Sequence, residues 1–340
     1  MEKRNNCFDI LRVAAMILII LYHYTTRYIE LVEPVDLIVR VPSYIATFGV
    51  SIFLCLTGYF SYHSLVDNRS DSLSFLKKRV IRLCPAFWIC LVIASVVLTI
   101  SGRAEITPKQ FLLNAFLINR IFGVPSVDGA YWYMMILMIF TVNLGVLIPF
   151  SNKVKNVYFI VYGCLMFIGG ITNLAFKFVP ELVVWALFKY INKCYFGLIL
   201  AYVFDKDRGK TVKQKILCLF YGAVIILSEG LWVEVERFIP DVCSVVVVTG
   251  VLLLSLRLPI EDRYMKPIYL LSGCSYFLYL IHEEVGFVLI QSITRYGVDP
   301  HVSVLLAICI MIAISIGYYI LEKKIASSFK SLKKVSANEI

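Results

Sequence analysis

Ten apolar runs divide the chain, at about 8–27, 43–63, 84–101, 131–150, 157–176, 183–204, 215–233, 240–256, 267–291 and 301–322. A transmembrane helix needs roughly 20 predominantly apolar residues, and most of these runs meet that length. The pattern therefore predicts an all-α, polytopic membrane protein of about ten transmembrane helices. A further piece, Phe111 to Phe122, is half-length and bracketed by Pro108 and Pro125, which predicts a segment that lies in the interface or re-enters the membrane. No internal repeat is evident along the chain.

An even number of spans puts both termini on one side. The segments joining the runs on that side hold 22 Lys and Arg against 8 on the other. By the positive-inside rule the richer side, with both termini, is cytoplasmic, and the expected location is multi-pass in the plasma membrane, surrounded by its lipids. Lys3 and Arg4 precede the first run as they would in a signal peptide, but its length, its Arg12 and the lack of a small-residue cleavage site predict a retained helix. Residues 1–325 read as one integral-membrane domain and 326–340 as a basic cytoplasmic tail.

Composition supports the same picture. The 340 residues are 60% hydrophobic and 16% charged, with a mean hydropathy of +0.81. That leaves too little polar surface to cover a soluble globule. The excess of 33 Lys and Arg over 23 Asp and Glu sits in short loops, so it reports topology and not a nucleic-acid partner. Ten cysteines fall mostly inside apolar runs with no CxxC pair, which reads as small buried hydrophobes and gives neither a disulfide frame nor a metal site.

Three polar constellations interrupt the apolar pattern. In the first run Arg12 and His23 stand eleven residues apart, about three turns and roughly 16 Å, so they project from one face. An ionisable residue inside a membrane helix is a functional candidate by default. The alternatives are that Arg12 reaches headgroups or pairs with Asp9, and that His23 only bonds a neighbouring helix. On the cytoplasmic side, KKRVIRLCP places Arg79 and Arg82 three apart on a short helix leading to Pro85. Their guanidinium groups suit a phosphate, while an ordinary topology-setting cluster against anionic lipid also fits. In the ninth run His282 is followed by Glu283 and Glu284. His23 and His282 each lie fifteen positions along helices running in the same direction, roughly 22 Å from the cytoplasmic end, so they are expected at one depth. Two imidazoles and a carboxylate can handle protons, and the competing reading for His282 is an interhelical hydrogen bond.

Weaker signals complete the pass. Lys189 and Lys193, four apart in the sixth run, lie on one face and must point into a polar cavity or snorkel, unless this helix begins later than the apolar pattern alone implies, which is the reading of lower energy. Trp132 and Tyr133 open the fourth run where aromatic belts are common, and Asp128 beside them carries little information alone.

Taken in order, FDILRVAAMILIILYHY, FGVSIFLCLTGYF, KKRVIRLCPAFW, YWYMMILMIF and CSYFLYLIH resemble the signature segments of the integral-membrane acyltransferases of type 3, which modify glycans and lipids. The resemblance covers most of the chain and makes residues 1–325 an acyltransferase domain. It implies transfer of an acyl group, usually acetyl, from cytoplasmic acetyl-CoA to a sugar hydroxyl across the membrane, with acyl-CoA as a substrate and no permanently bound cofactor. The family's essential Arg and His map to Arg12 and His23, and its paired arginines to Arg79 and Arg82. Trp132, Tyr133, His282 and Glu283 are the candidates for binding the acceptor. Peptidoglycan-type members carry a Glu five residues after the fourth-helix Trp, where this chain has Leu137. The resemblance is therefore to stand-alone members associated with capsule, exopolysaccharide, O-antigen or lipid-linked oligosaccharide.

The chemistry suits those parts. A sugar hydroxyl is a poor nucleophile at neutral pH, so a positioned base such as His23 contributes roughly 10² to 10⁴ in rate. The charged nucleotide of the donor stays at the cytoplasmic mouth, held by Arg79 and Arg82, while its arm carries the acyl group inward past Arg12. A polysaccharide or small-molecule transporter or flippase would also place charges in its helices, and it would need no donor-binding arginines.

Overall fold

The computed structural model describes residues 6–37, 39–67, 71–151, 190–204, 211–229, 235–255 and 261–338, and every regular element among them is helical. Helix α1 (Asn6–Tyr22) runs through a π-helical turn at His23–Arg27 into the short α2 (Tyr28–Leu31). There follow α3 (Ser43–Asp67), α4 (Ser72–Ile100), α5 (Pro108–Ala115), α6 (Tyr131–Ser151) and α7 (Ile191–Phe204). The chain then forms α8 (Val212–Glu229), α9 (Val235–Ser255), α10 (Lys266–Ile281), α11 (Glu284–Arg295) and α12 (Pro300–Asn338).

Among the described residues, four helical stretches are long and apolar enough to cross a membrane: Asn6–Leu31, Ser43–Tyr62, Ser72–Ile100 and Pro300–Ser328. A fifth is α10 with α11, if that bent pair is one span, and α6 and α7 carry shorter apolar stretches. Helices satisfy their own backbone polar groups, so they are the form an apolar chain of this kind takes in lipid. The protein is a membrane protein whose described residues form helices and no strand. The run expected at 157–176, Lys189 and the start of the run expected at 183–204 lie outside the described residues.

Three elements differ from the sequence expectation. The short helix before Pro85 is absent as a separate unit, because α4 continues through the proline. Pro85 removes only the N–H that would meet the Ile81 carbonyl, a loss that membrane helices tolerate. Asp71 secures the start of α4 by accepting the Ser74 N–H at 2.7 Å. In return, the Ser74 side chain and amide hold the Asp71 carboxyl below its ordinary range. The ninth run is not straight: α10 and α11 meet at 80° about His282 and Glu283. Finally, α12 runs beyond the 301–322 expected for the last apolar run and carries on as helix to Asn338.

The half-length piece between Pro108 and Pro125 forms α5 and a 3-10 turn at Asn119–Phe122, and it leaves Leu112, Phe116, Ile121 and Phe122 exposed. An exposed apolar rim of this kind suits an interfacial position and not a span. Lys193 does not snorkel. It lies fully buried in the first turn of α7, with its ammonium 5.3 Å from the centre of the Tyr190 ring.

Packing is centred on α3, which lies against α1, α7 and α9. Its contact with α7 is a backbone approach: a Cβ on Gly58 would meet the Cys194 carbonyl, and one on Gly197 the Cys55 carbonyl. Small residues at such crossings let dispersion contacts form where lipid supplies no hydrophobic drive. α1 and α10 run in the same direction, tied at their first turns by Tyr269 Oη donating to Asn6 Oδ1 at 2.6 Å and Ser272 Oγ donating to Asp9 Oδ1 at 2.5 Å. That pairing carries His23 and His282 to the same far end.

Candidate functional site

At the far end of α1 and α10 the two imidazoles meet edge to face, with ring centroids 4.8 Å apart and planes at 83°. His23 opens the π-helical turn, where the Tyr28 N–H bonds the His23 carbonyl across five residues. Such turns inside α-helices recur at functional sites because they re-aim one side chain. His23 Nδ1 lies 3.6 Å from Glu283 Oε1 and is buried without a hydrogen bond among the described residues.

His282 is fully buried, and its Nδ1 sits 2.7 Å from the Tyr279 carbonyl. A carbonyl only accepts, so Nδ1 donates, and a neutral ring then presents Nε2 as an acceptor. Nε2 is buried and has no hydrogen-bond partner among the described residues. The Tyr24 hydroxyl donates to the His282 carbonyl at 2.8 Å, satisfying backbone that the helix break exposes.

The break is held from a distant part of the chain. Asp128, fully buried ahead of α6, accepts the Ala130 N–H at Oδ1 (2.8 Å) and the Glu284 N–H at Oδ2 (3.1 Å). It thereby caps the first turn of α11. Gly129 lies flat against the Glu283 carboxylate, where a Cβ would collide with it. Glu284 is drawn the other way, to Arg103 Nε at 3.0 Å. The two consecutive glutamates are thus divided: Glu283 turns inward to His23, and Glu284 anchors the loop after α4.

A separate cavity of about 490 Å³ opens along α1, α3, α4, α6, α10 and α12, and Arg12, Arg79, Arg82 and Tyr133 are among its lining residues. Arg79 Nη2 donates to Ser61 Oγ at 2.9 Å and its guanidinium lies 5.5 Å from the centre of Phe75. Arg82 is exposed and has no hydrogen bond or ion pair among the described residues. Arg12 lies 3.9 Å from Asp9 and 4.6 Å from the centre of the Phe60 ring. The Asp9 pairing weighed from the sequence is therefore long, and the same carboxylate is shared with Ser272.

His23, His282 and Glu283 do not line this cavity. Its far end is closed by Tyr133 and Tyr279, whose ring centroids are 4.6 Å apart, and the Tyr279 ring is 5.4 Å from His282. The structure thus brings Arg12 together with Arg79 and Arg82, and His23 together with His282 and Glu283, with one layer of tyrosine between the two groups. Trp132 belongs to neither, packing on Tyr190 at 4.4 Å beside Tyr133. Leu137, at the position where peptidoglycan-type enzymes carry Glu, is a cavity wall. The sequence pattern gave Asp128 little weight; the Asp-Gly pair shortly before Trp132 was the one available signal for it.

A helical membrane protein with an arginine-lined cavity backed by a buried imidazole pair offers cations for an anionic ligand beside groups that can take up a proton. More particularly, the family model of the acyltransferase domain matches residues 5–320, so the chain belongs to the type 3 acyltransferases. No match was found among curated protein sequences or among solved structures.

One consequence concerns the inward glutamate. A methyl group in Gly129→Ala displaces the Glu283 carboxylate, and misplacing a supporting group by about 1 Å costs on the order of 10² in rate. The expected outcome is a loss of transfer of that size with little change in thermal melting in detergent, measured side by side on purified protein.

Proposed function

We propose that the protein is a membrane O-acyltransferase that moves an acyl group, acetyl in the simplest case, from cytoplasmic acetyl-CoA to a hydroxyl of an extracytoplasmic or lipid-linked glycan of the capsule, exopolysaccharide or O-antigen type. It works as a multi-pass protein of the plasma membrane, with about ten spans and both termini in the cytoplasm. The observation that carries this reading is the cavity itself, basic at one end, tyrosine-walled at the other, with two buried imidazoles directly behind the tyrosines.

In this reading Arg79 and Arg82 bind the donor's phosphates and Arg12 holds its arm further in. The thioester carbonyl comes to rest by Tyr133 and Tyr279. The acceptor enters from the opposite side, along Trp132, Tyr133, His282 and Glu283. As the sugar oxygen bonds to the carbonyl carbon, its proton passes to His23, whose rising charge Glu283 offsets. The C–S bond then breaks, and the departing thiolate takes that proton from His23 to leave as free CoA, which returns the imidazole to its neutral form. Lipid surrounds the helices, and nucleic acid has no part in the reaction.

Two-sided access tests the reading. Single cysteines placed at Trp132 and at Val80, in a background without the ten native cysteines, are labelled with a membrane-impermeant thiol reagent. Trp132→Cys should react only from outside and be protected by glycan; Val80→Cys should react only from inside and be protected by CoA. Labelling of both from one side, or protection of both by one ligand, contradicts the split site.

A further inference from the structure

The cavity is more basic than the arginine pair alone makes it. α12 extends past the apolar run as uninterrupted helix, and Tyr319 and Glu322 at the end of that run, with Lys323 and Ala326 from the extension, line the cavity together with Arg79 and Arg82. Tyr319 is seated on Gly273 of α10, where a Cβ would strike its ring, so the start of the extension is fixed against the bundle. Lys323 follows one turn later, roughly 6 Å along the axis. It is exposed, its ammonium lies 5.3 Å from the centre of the Tyr319 ring, and it has no hydrogen bond or ion pair among the described residues.

Arg12, Arg79, Arg82 and Lys323 therefore present four cations from three helices against a single carboxylate, Glu322, among the lining residues. One arginine pair already matches the oxygens of a phosphate or diphosphate. A further cation held on a different helix suits a ligand with a second, separate anionic group. On the reading that the donor is an acyl-CoA, we infer that Lys323 binds the 3′-phosphate of the CoA nucleotide. The donor cavity thereby selects free CoA over a carrier that bears only a pantetheine phosphate. The basic stretch that opens at Lys323 is then part of the donor site and not only a topology signal.

The test uses the full-length protein in phosphatidylcholine nanodiscs, which supply no anionic headgroup to compete, and titrates CoA and 3′-dephospho-CoA. Wild type should bind CoA about tenfold more tightly than dephospho-CoA, the scale of one solvent-facing charge-assisted contact. Lys323→Gln should lower CoA affinity to the dephospho-CoA level and leave dephospho-CoA unchanged. Lys323→Arg should keep the preference, and so should Lys324→Gln, whose side chain does not line the cavity. Equal wild-type affinity for the two probes, an equal weakening of both by Lys323→Gln, or the same loss in Lys324→Gln overturns the inference while leaving the acyl-CoA reading in place. Failure of wild type to bind either probe overturns that reading itself.

Discussion

His23→Ala is expected to reduce acyl transfer by roughly 10² to 10⁴ while leaving the KM for acyl-CoA unchanged. The size is that of a positioned general base acting on a hydroxyl whose own acidity is far too low to supply an alkoxide at neutral pH. The split between the two constants comes from geometry. His23 stands outside the donor cavity, behind Tyr279, so its removal takes away an interaction used in the transition state and none used to hold the donor. A structural role would give a different pattern. Loss of an aromatic packing partner of His282 would lower the melting temperature, and it would affect activity only in proportion to unfolded protein. Steady-state kinetics beside a thermal melt in the same detergent separate the two, and full transfer by the variant would remove His23 from the mechanism.

The second large effect is expected in the opposite constant. Arg79→Ala combined with Arg82→Ala should raise the KM for acyl-CoA on the order of 10²-fold, with kcat at saturating donor changed far less. Charge-assisted phosphate contacts are strong, but Arg82 is exposed and solvent screens it, so the estimate stays well below the product of two buried contacts. Arg79 adds a structural element, since its guanidinium also holds Ser61 of α3. Arg82→Ala alone therefore isolates the ligand contact. Direct CoA binding by calorimetry checks the double and single variants, and equal affinity across wild type and both variants would leave the arginines as a topology cluster.

Much of this was legible in the sequence, for local reasons. Apolar runs fix helices wherever lipid forces the backbone to bond to itself, so α1, α3, α4 and α12 were readable from hydropathy alone. Counting along two helices of the same direction placed His23 and His282 at one depth, and their rings do touch. What the sequence hid depends on contacts between distant residues. The 80° break at His282 is capped by Asp128, which lies 156 positions before the Glu284 N–H it accepts, and no local breaker such as proline marks it. Arg12 and His23 share a face of one helix, yet Tyr133 and Tyr279 from other helices close the cavity that Arg12 lines before it reaches His23. The polar residues after 322 looked like the end of a span because hydropathy falls there, while the helix itself continues.

The most direct test of the account follows CoA and glycan together. Purified protein is reconstituted into liposomes that hold the acceptor glycan inside, with acetyl-CoA outside and the Arg79–Arg82 face outward, and mass spectrometry measures free CoA and acylated glycan over time. The account predicts that free CoA appears outside in step with acylated glycan inside, one acyl group per CoA released, and that His23→Ala stops both. Movement of glycan across the membrane with acetyl-CoA left intact would contradict it and identify a transporter.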